Sequence, residues 1–140
     1  MGKFPECFPS DFESRILPKE AKEDNRTVYR VMKYGKIDRR GFISTFEETK
    51  LGLRPPGKRE LDPDDPSVYS TSCHENKSDA EYCLKLLMRK NPSAFIVKGE
   101  TERSCGPCQL TKERKKCKDS HVDWWIYEES NPEQYFKKEG

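Results

Sequence analysis

The sequence predicts an α+β domain: a small mixed sheet, two or three helices and a cysteine-rich loop whose spacing suits zinc. Three observations carry that prediction. Short β-branched and aromatic runs recur along the chain, among them TVYRVMKYG (27–35), AFIV (94–97) and VDWWIY (122–127), and these read as strands. They alternate with amphipathic stretches of helical period, the clearest spanning Ala80 to Met88. At 140 residues without an internal repeat, the chain forms one domain with one core.

Residues 1–25 read as an N-terminal arm and 26–140 as the domain. In FPECFPSDF, Phe4, Phe8 and Phe12 recur every four residues, but Pro5 and Pro9 break a helix, so the rings are expected to drape over the domain. TVYRVMKYG gives the first strand and ends on Gly35. Phe42 and Phe46 suggest a helix closed by Gly52, and STFE at 44–47 reads as its capping box. LRPPGKRELDPDDPS (53–67) is a loop, and VYSTS (68–72) a short second strand. Ser78 and Glu81 form the expected capping box of the next helix, whose apolar face holds Ala80, Cys83, Leu84, Leu87 and Met88. Asn91-Pro92 stops it. AFIV follows as a buried strand, Gly99 turns the chain, VDWWIY forms the last strand, and NPEQYFKK a short closing helix opened by Pro132.

Hydrophobic residues make up 32% of the chain and charged residues 37%, so the core is thin. A net charge of +2 and 11% aromatics argue for a compact, loop-rich fold rather than disorder. No apolar run is long enough to cross a bilayer and the start carries no signal core, which leads to the expectation of a cytoplasmic protein with no membrane partner. In that compartment six cysteines are expected as thiols or metal ligands rather than disulfides.

RSCGPCQLTKERKKCKDSHVDWW (103–125) contains the tetrapeptide CGPC. A redox pair would need the first cysteine at a helix amino end inside a strand-rich scaffold, and too little chain follows Cys108 to build one. Cys105, Cys108, Cys117 and His121, within the loop 103–121, instead offer three thiolates and an imidazole for a tetrahedral Zn²⁺, with Cys73-His74 able to supply a ligand in place of one of them. Zinc would also add directly to the stability of a thin core.

A second set of residues is spread more widely. Arg30 lies in the first strand, Ser70-Thr71-Ser72 ends the second, and Glu100 and Glu102 stand one residue apart after the third. VYRV, YSTS and ETE, in that order and at that spacing, resemble mono-ADP-ribosyltransferases of the arginine–serine–glutamate class. The resemblance covers about 70 residues and implies NAD as cofactor and a macromolecular acceptor for ADP-ribose. It implies that Arg30 clamps the NAD diphosphate, with Ser70 and Thr71 in the same site. Ser70 or Ser72 would bond within the nicotinamide pocket and steady the glutamate, Glu102 would stabilise the cationic sugar, and Glu100 would orient or deprotonate the acceptor. RSCGPCQ after Glu102 departs from the family's pattern, and an alternative alignment puts Asp123 in the acid's place. Singly, each of these residues also suits an ordinary structural role.

The competing reading is a zinc-stabilised nucleic-acid-binding or protein-interaction module without catalysis. Residues 103–118 hold six basic side chains, and Lys112, Arg114, Lys115, Lys116 and Lys118 could meet phosphates. Trp124 and Trp125 follow, one of them expected to be free to stack on bases.

Overall fold

The computed structural model describes residues 2–54 and 60–139, so residues 55–59 of the predicted 53–67 loop lie outside the described residues. The strands are β1 (Thr27–Met32), β2 (Thr71–His74), β3 (Phe95–Glu100), β4 (Cys108–Leu110), β5 (His121–Trp124) and β6 (Phe136–Lys138). They form one sheet in the order β4-β5-β2-β1-β3-β6, with α1 (Thr45–Lys50) and α2 (Lys77–Met88) as the α-helices and short 3₁₀ turns between elements. The α+β prediction holds, although every strand pairing is antiparallel rather than mixed.

Local signals place most elements well. Ser44 Oγ accepts the Glu47 N–H and the Glu47 carboxylate accepts the Ser44 N–H, the reciprocal box that opens α1. Other expectations need correction. α2 begins after Asn76, two residues ahead of the Ser78–Glu81 box, because Ser120 Oγ accepts the Asn76 N–H while the Asp79 carboxylate holds the Ser120 N–H and hydroxyl. Met88 is exposed. The second strand runs from Thr71 to His74, since Val68 and Tyr69 belong to a 3₁₀ turn opened by Pro66. Gly99 lies inside β3, where a side-chain carbon would overlap the Tyr135 carbonyl; its absence lets β6 approach. NPEQYFKK yields a 3₁₀ turn (Pro132–Tyr135) and then β6, not a helix.

Alternation along the strands divides the interior. One face of the sheet carries Val28, Met32, Cys73, Val97, Val122 and Trp124 against Phe42 and Phe136. The other receives α2, with Ala80, Cys83, Leu84 and Leu87 against Val31 and Ile96. A third cluster joins the arm to the domain: Phe8, Phe12 and Ile16 pack with Tyr69 and Trp125. The two adjacent tryptophans therefore enter different clusters. Both are 0% exposed, with Trp124 Nε1 donating to the Gly106 carbonyl and Trp125 Nε1 to that of Pro66. Neither is free to stack on a base, because the phenylalanine arm covers the side that the sequence left open. Among the described residues, no helix is long and apolar enough to cross a membrane.

Candidate functional site

β1 pairs with β3 along its length, from Thr27↔Glu100 to Met32↔Phe95, but meets β2 at the single register Tyr29↔His74. Arg30 fills the place where the ladder stops. Its Nε donates to the Gly41 carbonyl at 2.9 Å and its Nη1 to the Ser72 carbonyl at 2.6 Å, with the guanidinium 5.7 Å from the Phe42 ring centre. A cleft of about 170 Å³ opens beside it, lined by Arg30, Lys33, Glu48, Ser70, Ser72 and His74 among others. Among the described residues no carboxylate lies within ion-pair distance of Arg30. Burial pushes its pKa down, opposed by the more distant Cys73 and Glu48. A partly buried cation without a paired anion favours an anionic ligand.

Glu48 is the carboxylate of this cleft. Lys33 Nζ lies 2.8 Å from its Oε2, and the Tyr34 hydroxyl donates to the same atom. Burial and then Glu48 itself drive the Tyr34 pKa up, so the phenol remains a donor.

Ser70 is fixed from behind. Its hydroxyl donates to Asp123 Oδ1 at 2.5 Å, while Asp123 Oδ2 accepts from Thr111 Oγ1 and Arg114 Nη2, both at 2.8 Å. Burial alone would raise the Asp123 pKa, but the Ser70 and Arg114 hydrogen bonds outweigh it and hold the carboxyl below its ordinary range. Asp123 is fully buried, which suits anchoring better than the acid's role in the alternative alignment. Thr71 is buried opposite Trp124 in the ladder, on the other face of β2 from Ser70 and Ser72.

The glutamate pair lies elsewhere. Glu100 sits opposite Thr27, three residues and ~10 Å along β1 from Arg30. Asn25 Nδ2 lies 3.5 Å from Glu100 Oε2 and 3.3 Å from Glu102 Oε2, and Glu102 Oε1 accepts from Ser104. The fold thus gathers Arg30, Ser70 and Ser72 and leaves Glu100 and Glu102 at the far end of the strand. Lys33, Glu48 and His74 complete the cleft. Only His74 drew notice in the sequence, as a metal ligand; Glu48 is hidden among the ordinary acids of a helix start.

CGPC forms a sharp turn: Gly106 has φ +136°, and a side-chain carbon there would overlap the Trp125 carbonyl. Cys105 and Cys108 face the core, and burial raises both thiol pKa values, the opposite of what a redox nucleophile needs. Cys117 instead bonds Asp119 Oδ1 at 3.0 Å, and His121 Nδ1 lies 2.5 Å from Thr111 Oγ1. Among the described residues no three His, Cys, Asp or Glu side chains are grouped to hold a metal ion, so the zinc expectation for Cys105, Cys108, Cys117 and His121 stands on their spacing alone.

Across β2 from the cleft lies a second hollow, of about 320 Å³, lined by Ser72, Thr111, Lys115, Lys116, Asp119 and His121 among others. Arg114 is withdrawn from the surface: besides Asp123 it binds Gln109 Oε1 and Ser67 Oγ and lies over Trp125. Lys112, Lys115, Lys116 and Lys118 remain exposed. Comparison with protein-family models, with curated proteins and with solved structures finds no match.

Proposed function

We propose that the Arg30 cleft binds the nicotinamide-ribose end of NAD and that the protein transfers ADP-ribose to a macromolecular acceptor. The observation that carries this reading is the unpaired guanidinium of Arg30 beside the hydroxyls of Ser70 and Ser72. Arg30 supplies charge and a planar set of donors for a phosphate. Ser70, oriented by Asp123, and Ser72 supply short hydroxyls for a ribose or carboxamide.

In the reaction the bond between C1′ of the ribose and the nicotinamide nitrogen breaks. The electron pair leaves with nicotinamide, which departs neutral. The acceptor then bonds to C1′ and loses a proton to solvent. Positive charge grows on the sugar, so a carboxylate aimed at it lowers the barrier. Glu48 is the carboxylate lining the cleft, and we assign it the role that motif order gives to Glu102.

Release of nicotinamide from NAD tests the assignment. Glu48→Gln should lower the rate by about 100-fold or more, on the scale of removing one preorganised electrostatic group, with NAD binding retained. Glu102→Gln should leave it unchanged. Reversed effects would restore Glu102, and NAD binding without turnover by the unmodified protein would leave a binding module. A nucleic-acid module is the weaker reading, because both tryptophans are buried and Arg114 is committed to Asp123.

A further inference from the structure

The hollow across β2 has no part in that reading, yet it shares Ser72 with the cleft. We propose that it is a second anion subsite, taking a phosphate of the same ligand, so that the protein selects dinucleotides over mononucleotides. The inference rests on the proposed cleft and extends it.

Size supports the inference first. Drug-sized ligands usually need ~300 Å³ or more, so the cleft of about 170 Å³ encloses a ring and sugar but not a dinucleotide. The adjoining hollow, of about 320 Å³, provides the missing room. Neighbouring strands lie ~4.8 Å apart, so moving from the β1–β2 gap across β2 covers roughly the length of one ribose-phosphate unit.

Charge supports it as well. Lys115 and Lys116 line the hollow, and among the described residues neither has a carboxylate within ion-pair distance. The acid at the rim, Asp119, is already engaged by the Cys117 thiol, the His121 N–H and His74 Nε2. The half-buried His121 ring, held by Thr111, adds a polar wall. Two cations against one occupied acid leave the hollow positive, as Arg30 leaves the cleft. A run of phosphates on a nucleic acid would meet the same charges, but among the described residues no Phe, Tyr or Trp lines either space, which favours the small ligand.

The test is calorimetric titration of the full chain with NAD and with nicotinamide mononucleotide, for the unmodified protein and for Lys115→Ala/Lys116→Ala. Both lysines are exposed, and an unchanged melting profile confirms the fold. We expect the unmodified protein to bind NAD at least tenfold more tightly than the mononucleotide. The double variant should lose that margin while holding the mononucleotide as before. Equal binding of the two ligands by the unmodified protein, or an unchanged margin in the double variant, overturns the second subsite and leaves the cleft standing. Binding of neither ligand overturns both. A short single-stranded oligonucleotide bound more tightly than NAD, with loss in the double variant, reassigns the hollow to nucleic acid and overturns the proposal.

Discussion

Arg30 Nη1 donates to the Ser72 carbonyl across 2.6 Å, at the point where β1 and β2 cease to pair. One side chain thereby closes a gap in the sheet and places its charge in the cleft. Arg30→Ala should leave the Ser72 and Gly41 carbonyls without their donor, costing about 1–3 kcal/mol of stability. Arg30→Lys can replace one bond but not the planar pair, so its urea midpoint should fall between the unmodified protein and the alanine variant. Equal midpoints for all three would show that the gap needs no bridge.

Asp123 should govern stability in acid. Its folded-state pKa lies below the ordinary value, so its stabilising effect is present above about pH 3.9 and is lost as pH falls through the folded-state pKa. Asp123→Asn should cost about 3–5 kcal/mol at neutral pH by stranding Arg114, and should flatten the acid limb of a stability-against-pH curve. An unchanged limb in a folded variant would assign the acid sensitivity to other carboxylates.

His121 acts in a different window. Burial holds its pKa below the ordinary 6.5; Asp123 and Asp119 oppose this, while His74 and Lys115 add to it. The unfolded chain therefore takes up a proton before the folded one does, and stability falls as pH drops from about 6.5 towards the folded-state pKa. His121→Gln should remove that decline from denaturant midpoints measured between pH 7 and 5. A decline that persists undiminished would show that His121 is not its source.

Gly106 and Gly52 both have positive φ, but only Gly106 is crowded. Gly52→Ala should cost about 1 kcal/mol, the strain of the backbone alone. Gly106→Ala should cost at least 2 kcal/mol more, because the added methyl displaces the Trp125 carbonyl. Melting curves of the two variants compare them directly, and similar losses would mean the CGPC turn can relax.

Legibility in the sequence followed the range of the interactions. β1, β3 and α1 rest on local propensity and a cap four residues long, and were readable. β4 and β6 have three residues each and exist through pairing with β5 and β3, Cys108↔Trp124 and Gly99↔Phe136 among the partners, which no local pattern encodes. Motif order brought out Arg30, Ser70 and Ser72, because strands adjacent in the sheet carry them. Glu100 and Glu102, named by the same order, lie outside the lining of that cleft, since order says nothing about which end of a strand faces it. Alternation predicted one buried tryptophan, and the arm that buries the second comes from more than a hundred residues away.

Titration of NAD into the unmodified protein, Arg30→Gln and Ser72→Leu decides whether the Arg30 cleft holds the nucleotide. The Ser72 side chain is exposed, so leucine there fills the cleft mouth without removing an internal bond. Saturable binding by the unmodified protein is expected, with at least a tenfold loss in each variant and the cooperative melt retained. NAD binding at full strength by a folded Ser72→Leu, or none by the unmodified protein, would contradict it.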